Sequence, residues 1–424
     1  MNNLIWKMKE GLRAVVPSSM LRGYHFGIAL LGAVICGFPS AKLIVIAVTG
    51  TKGKSSTTEM INAIFESAGY KTALLNSIRF KIASESKPNE LRMSMPGRFF
   101  IQDFLMRAVH AQCTVAILEM TSEGARQSRH RGIALDALVF TNLAPEHIES
   151  HGSLEAYAAA KFEIGRQLAR SSKRPRIMVA NAEDAQSGRY LTLPVEHALP
   201  FSLESCAPYA SGAEGGHFTF DEMDIPVHLP GDFSLRNAIA AATVARAFGI
   251  QTLAIRQAFD KLTRIPGRAE RIEAGQPYPV VVDYAHTPDS LTALYDAYGA
   301  ARKICVMGAT GGGRDTWKRP VMGAIADARC DVVILTNEDP YDEDPRSIVE
   351  GVARGMKRPP LIIMDRREAI GNAISMAKPG DAVLITGKGT DPCICGPHGT
   401  KIPWSDAQVA REELAKRASL GARV

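Results

Sequence analysis

The sequence is short of several things that would narrow its class at once. Its seven cysteines are odd in number and scattered (Cys36, Cys113, Cys206, Cys305, Cys330, Cys393 and Cys395). Nothing in that spacing reads as a disulfide framework, which argues against a secreted scaffold and for a reducing compartment, the cytoplasm. No apolar run is long enough for a spanning helix; the best candidate, Tyr24 to Phe38, is broken by His25 and several glycines. Lys7, Lys9, Arg13 and Arg22 precede it, and Pro39-Ser40 runs straight into the first strand, leaving no mature N-terminal region for a signal peptide to export. Two readings of this run stand. It is a buried helix covering a sheet, or a basic amphipathic surface over residues 22–38 in weak contact with a membrane or a lipid-linked substrate. Nor is there a block of one charge sign. The net charge of +6 is spread along the chain, which suits small anionic substrates and makes no case for nucleic acid. Internal repeats are missing too, and the glycine-rich Gly308 to Gly313 lacks the spacing of a dinucleotide fingerprint.

What is present starts with Gly50-Thr51-Lys52-Gly53-Lys54-Ser55-Ser56. An apolar run, Leu43 to Val48, precedes it and a helix-like segment, Thr57 to Ala68, follows. Strand, glycine turn, Lys-Ser and helix make a phosphate cradle: glycines let the backbone approach, loop N–H groups and the helix N-terminus face the anion, and Lys54 adds charge. Ser55 is placed to put its hydroxyl on Mg²⁺. Only two residues separate Gly50 from Gly53, so this is a shortened form of the usual loop.

From residue 43 to about 262, short apolar runs alternate with helical patterns, as a parallel α/β sheet requires. The strands include 71–75, 114–119 and 135–140; the helices include 99–111, 153–168 and 233–248. Residues 196–230 turn polar, with weak strand signals expected of an antiparallel edge or insert. After Ile265-Pro266-Gly267 a second α/β unit begins, with strands at 280–283, 303–306, 331–335, 361–364 and 381–385. It reads as doubly wound and Rossmann-like, and the Pro-Gly junction reads as a hinge over a cleft.

Several polar clusters follow strands, where α/β proteins place their sites. Glu119 ends a buried strand opposite the phosphate loop, either as an Mg²⁺ ligand or as an ordinary polar strand end. His147 and His151 stand four apart among carboxylates, a spacing open to zinc. Lys161 interrupts a small, apolar helix face and either snorkels to solvent or is buried for function. Asp283 and His286 put an acid and a histidine past another strand. Cys393-Ile-Cys395 lacks a second ligand pair for a soft metal.

Taken in order, these motifs resemble the Mur ligase family of ATP-dependent amide-bond-forming enzymes, from about residue 41 to residue 410. Val282 to Leu291 and Gly311-Gly-Gly-Arg314 to Pro320 are most similar to its MurE branch, which adds the third peptide residue to UDP-N-acetylmuramoyl-L-Ala-D-Glu. The resemblance implies a central ATP-binding phosphate-loop domain over 43–265 and a C-terminal Rossmann-like, amino-acid-binding domain over 266–424, after an N-terminal segment over 1–42. It implies a substrate carboxylate attacking the γ-phosphate of ATP, then an amine attacking the acyl phosphate. By the same match Gly50 to Ser56, Asn237, Arg268 and Asp283 bind nucleotide. Lys54, Glu119, His147 and Lys161 are catalytic, with Ser55, Glu119, His147 and carbamylated Lys161 as metal ligands. Ser94, Pro96, Ser122, Gln127, Arg129, Arg314, Glu338, Asp339, Tyr341, Gly387 and Asp391 fall at substrate positions. Cofactors are then ATP and Mg²⁺, and the partners an anionic acceptor (UDP-muramoyl dipeptide or an analogue) and an amino acid.

Four departures bear on the substrate. About 42 residues precede the first strand, where the branch carries a uridine-binding domain, so either the UDP is recognised otherwise or the acceptor is not a UDP-sugar. Glu338-Asp339-Pro340-Tyr341 replaces the Asp-Asn-Pro-Arg whose arginine grips the distal carboxylate of diaminopimelate; Tyr341 cannot form that bidentate pair. Asp391 keeps an anion where the branch has glutamate. Glu123 replaces a histidine. Lysine or another diamine is the amino acid these changes favour. The alternatives are a folylpolyglutamate or poly-γ-glutamate type of ligase and a ligase for a lipid-linked acceptor.

Overall fold

The computed structural model describes residues 18–146, 148–313 and 315–421. The first sheet is built from β1 (Ile44–Thr49), β2 (Thr72–Leu75), β3 (Arg79–Ile82), β4 (Glu85–Pro88), β5 (Val115–Glu119), β6 (Ala137–Phe140), β7 (Ile177–Asn181) and β8 (His197–Phe201). Its order is β4-β3-β2-β5-β1-β6-β7-β8, parallel except for the antiparallel β2-β3-β4 edge. β1 lies at the centre and shows why the sheet is doubly wound. Successive side chains of a strand point to opposite faces. Ile46 and Val48 therefore join one core, with Ile61 and Phe65 of the helix Lys54–Ser67 and the alanines of the helix Gly231–Ala247. Val45 and Ala47 join the other, with Phe104 and Leu105 of the helix Arg98–His110 and Ile164 and Leu168 of the helix Leu154–Ala169. Each fully buried large apolar side chain contributes about 1.5–3 kcal/mol of transfer free energy.

The polar stretch 196–230 holds β8 at the sheet edge and then a separate antiparallel meander, β9 (Tyr209–Gly212), β10 (Gly215–Phe220) and β11 (Met223–Val227). The third sheet comprises β12 (Glu270–Arg271), β13 (Val280–Asp283), β14 (Arg302–Met307), β15 (Val332–Leu335), β16 (Leu361–Ile362) and β17 (Asp381–Thr386), in the order β12-β13-β17-β14-β15-β16. Only β12 is antiparallel to its neighbour. A small hairpin, β18 (Cys393–Cys395) with β19 (Lys401–Pro403), follows.

Two expectations change here. Cys305 in β14 and Cys330, just past the helix Lys318–Arg329, are joined by a disulfide. The spacing gave no sign of it, because only the crossover brings the end of that helix back beside the strand. The helix Ser18–Ile35 covers another helix, not a sheet. It packs on Arg98–His110, with Gly32 against Phe99 and Gln102, while the buried Ala29 and Ala33 lie beside Gly132. Met20, Tyr24, Leu31, Val34 and Ile35 stay exposed. Among the described residues no helix is long and apolar enough to cross a membrane.

Candidate active site

The loops that carry polar residues all leave the C-terminal ends of parallel strands. In the first sheet β5, β1 and β6 are adjacent, with Val48 opposite Glu119 and Thr49 opposite Phe140. That register brings the phosphate loop, Glu119 and the 141–146 segment together. Two glycines are fixed by sterics: a Cβ on Gly50 (φ 148°) would overlap the Thr141 hydroxyl, and one on Gly53 (φ 80°) the Asn237 amide oxygen. Gly53 is also the N-cap of Lys54–Ser67 and offers no capping side chain, so the first N–H groups of that helix remain available to an anion.

Cations converge on this loop. Lys54 folds back so that its Nζ donates to the Thr51 carbonyl (2.8 Å), and burial lowers its pKa against the pull of Glu119 and Glu146. Lys161 does not snorkel. It is 2 % exposed, sits over the Tyr157 ring and donates to the Gly50 carbonyl (2.5 Å). Burial first, and the neighbouring Lys54 second, hold its pKa well below that of an ordinary lysine. The Ser153 side chain caps the helix Leu154–Ala169, and Lys161 projects from the middle of that helix. Lys52 donates to Glu146 (3.1 Å), which also meets His286 Nε2 (3.1 Å) from the second unit.

Glu119 is buried and fully engaged. Its Oε2 accepts from the Ser55 hydroxyl (2.8 Å) and the Ser77 N–H (3.0 Å), and its Oε1 accepts from the Ser94 hydroxyl (2.7 Å). Burial pushes its pKa up, but Lys54 and these donors outweigh that and hold the carboxyl below its usual range. From the second unit Arg268 lies over the Tyr284 ring and reaches the hydroxyls of Ser77 (3.1 Å) and Ser55 (3.3 Å). Asp283 accepts the N–H groups of Ala269 and Ala285, each at 2.6 Å, and burial raises its pKa. Asn237 accepts from Thr57 (3.3 Å).

The loop residues Thr51 to Ser56, with Glu119, Glu146, Arg268, Asp283 and His286, line a cavity of about 550 Å³ between the two units, with Arg92 and Asp391 also in its wall; Lys161 lies behind the loop, outside that lining. Behind that wall, Asp339 and Lys388 are buried and paired (2.8 Å). Glu338 accepts from Thr310 (2.8 Å), and a Cβ on Gly387 (φ 108°) would overlap its other oxygen. Tyr341 lies beside this cluster, its N–H on the Cys395 carbonyl (3.0 Å). Ser94 lines the cavity, whereas Pro96, Ser122, Gln127 and Arg129 stand outside its lining. Pro96 and Ser122 are buried. Gln127 links Glu123 to Arg129, which reaches the Met95 carbonyl, so this pair braces the loop that carries Ser94. His147 and Arg314 lie outside the described residues. Among the described residues no cluster of three or more His, Cys, Asp or Glu is placed to hold a metal. His286 stands out in the sequence as a histidine past a strand, without a role, and Glu146 lies in another strand-end segment; Arg92, in a loop, and Tyr157, on the helix Leu154–Ala169, carry no local signal.

A phosphate loop ringed by desolvated lysines faces a paired acid and base set across one cavity, and the family matches make this the site of an ATP-dependent ligase that joins an acid to an amino acid. The chain belongs to the Mur ligase family. Residues 48–245 match that family's middle domain and residues 267–389 the domain described as "Mur ligase, glutamate ligase domain". It is 35% identical to a UDP-N-acetylmuramyl-tripeptide synthetase of Roseiflexus sp. (strain RS-1), over 95% of this chain and 85% of that protein. It is 36% identical to a UDP-N-acetylmuramoyl-L-alanyl-D-glutamate–2,6-diaminopimelate ligase of Synechococcus elongatus, over 92% and 80%. Among solved structures, a ligase of that same name shares 28% identity at a TM-score of 0.62, over 89% of this chain and 79% of its own. A folylpolyglutamate synthase of Mycobacterium tuberculosis, complexed with ADP and AMPPCP, shares the fold at a TM-score of 0.68 with 18% identity, over 86% and 93%.

Proposed function

We propose that this ligase adds an amino acid to the carboxylate of a muramoyl-peptide-like acceptor through an acyl phosphate. The observation that carries the proposal is a single cavity whose lining holds Lys54, Ser55 and Glu119, backed by Lys161, together with Arg92 and Asp391. Two anions, a carboxylate and a triphosphate, have to meet. Lys54, the open helix N-terminus and Arg268 neutralise and orient the phosphates, and positioning does much of the rest. Asn237 and Asp283 hold the nucleotide between the units, whose boundary we place at Ile265 to Gly267. The adjacent hydroxyl and carboxylate of Ser55 and Glu119 are a hard-oxygen donor pair of the kind Mg²⁺ accepts alongside phosphate oxygens, so these residues would hold it, with His147. When bound it supplies further neutralisation of the phosphates. Ser94, held on Glu119, marks the acceptor end.

Lys161 has the properties of a carbamylation site. Its depressed pKa leaves neutral amine that adds to CO₂, forming an N–C bond and releasing a proton, which turns a cation into a carboxylate able to join the metal site. Lys161→Ala is expected to lose activity and to regain part of it with added short carboxylates. Full activity of that variant in plain buffer would overturn the assignment. The overall reading is tested by phosphate release across UDP-muramoyl dipeptide, a lipid-linked dipeptide, folate and glutamate as acceptors, each with a panel of amino acids. Turnover with folate and glutamate but not with muramoyl dipeptide would falsify it.

A second reading concerns the exposed apolar face of Ser18–Ile35. With Lys7, Lys9, Arg13 and Arg22 beside it in sequence, this face fits an anionic lipid surface. Flotation with phosphatidylglycerol vesicles but not with neutral ones is expected, and no flotation with either rejects it.

A further inference from the structure

Arg92 belongs to the first unit but works in the second. It sits in the loop between β4 and the helix Arg98–His110, with its backbone in the left-handed region (φ 55°). Its Nη2 donates to Asp339 Oδ2 (2.7 Å) and Asp391 Oδ2 (2.9 Å), and Nη1 contacts the Cys395 sulfur. From the opposite side Lys388 donates to Asp339 Oδ1 (2.8 Å) and Asp391 Oδ2 (3.3 Å). Two carboxylates and two cations thus pair off in a pocket where Lys388 is fully buried and Arg92 and Asp391 are each 18 % exposed, with the buried Glu338, its carboxyl pushed up by burial, beside Lys388.

That pairing decides what else fits. A lone ammonium would bring an unmatched positive charge, or would have to evict a guanidinium that bridges two carboxylates. A group carrying both an ammonium and a carboxylate adds no net charge, and each of its ends finds an opposite partner already on the cavity wall. A carboxylate also matches the planar fork of a guanidinium. Arg92 stands beside Tyr341 as well. The guanidinium missing from position 341 is thus supplied from another loop.

We propose that Arg92 is a specificity-determining residue for the incoming amino acid, selecting one whose distal end is zwitterionic: the guanidinium takes the distal carboxylate and Asp391 the distal ammonium. This rests on the ligase reading and reverses the preference for lysine that Tyr341 alone implies. It also makes the amino-acid site a product of two units, because Arg92 comes from one and Asp339, Lys388 and Asp391 from the other. Ser94, two residues along the same loop, hydrogen-bonds Glu119, so one loop reaches both the acceptor end and the amino-acid end of the cavity.

The test is amino-acid-dependent phosphate release at saturating acceptor, with meso-2,6-diaminopimelate and L-lysine titrated against the unaltered chain, Arg92→Lys and Arg92→Gln. The unaltered chain should favour diaminopimelate by at least about tenfold in kcat/KM, and both variants should lower that ratio by at least about tenfold, chiefly through the KM for diaminopimelate. The lysine variant separates fork geometry from charge. A preference for lysine in the unaltered chain overturns the proposal, as does a ratio unchanged in Arg92→Gln, which would make Arg92 a structural ion pair. If Arg92→Gln does not fold, the preference of the unaltered chain still decides. No amino-acid-dependent release with either substrate would remove the ligase reading itself, a different failure from a wrong preference.

Discussion

The two walls of the cavity are built alike and charged differently. Each stands at the C-terminal edge of a parallel sheet, yet the phosphate wall crowds four basic side chains around its loop beside Glu119, Glu146 and Asp283, and the amino-acid wall pairs Arg92 and Lys388 with Asp339 and Asp391. Lys52, Lys54, Lys161 and Arg268 converge around the loop, and Lys54 and Lys161 are both depressed by burial. Across the cavity Arg92 and Lys388 are matched by Asp339 and Asp391. Each wall is complementary to what it is proposed to receive. An anion completes the first, whereas the second, its charges paired and a Glu338 oxygen left without a hydrogen bond among the described residues, is best matched by a ligand that brings both signs. The first therefore carries an electrostatic cost in the free protein, and the second contributes to holding the units together.

The comparison is most sharply tested by removing one cation from each wall. Lys54→Met should lower kcat by at least about a thousandfold, roughly 4 kcal/mol of transition-state stabilisation, while the protein stays folded. Steady-state phosphate release checks this, and a loss below tenfold would break the assignment of the phosphate wall. Lys388→Met should act the other way, costing about 3 kcal/mol of stability, because Asp339 is left buried with one partner fewer. Chemical denaturation measures it, and an unchanged midpoint would show that the pairing is not structural.

His286 bridges the two units through Glu146 and gives the protein a pH dependence. Burial first, and Lys52 second, depress its pKa to about 4 from 6.5. Between those values the unfolded chain binds a proton that the folded chain refuses, so stability falls as pH drops from 6.5 to 4 and levels off below. The loss should be on the order of 3 kcal/mol, and His286→Asn should remove that share of the slope. His130, buried and depressed to about 3, adds a similar slope that the variant leaves in place. The smallest effect expected is a gain. Lys161→Met keeps the volume of the side chain and removes a buried amine whose charged form burial and Lys54 both disfavour, so it should raise stability by about 1 kcal/mol while abolishing turnover. A fall in thermal midpoint would mean that Lys161 is held by its contacts more firmly than burial disfavours its charge.

The same contrast separates what was legible in the sequence from what was not. The phosphate wall is written locally. A strand, two glycines, a lysine and a helix stand within one short stretch, and the steric need for glycine at Gly50 and Gly53 is the kind of constraint that sequence records. Glu119 was readable as a strand end, and alternating apolar runs gave both sheets. The β3-β4 edge was missed because both strands are short and β4 is exposed throughout. The Cys305–Cys330 bond was missed because 25 residues separate its halves.

By itself, then, the sequence determined the class of fold, the phosphate loop and the resemblance to a ligase family, because hydrophobic period and turn chemistry act between near neighbours. Tertiary structure alone decided that Lys161 is buried beneath the loop and not at the surface. It also decided that Arg92 crosses between the units to meet Asp339 and Asp391. Burial and charge pairing depend on what lies opposite in space, and for a single side chain the neighbouring residues in the chain do not say what that is.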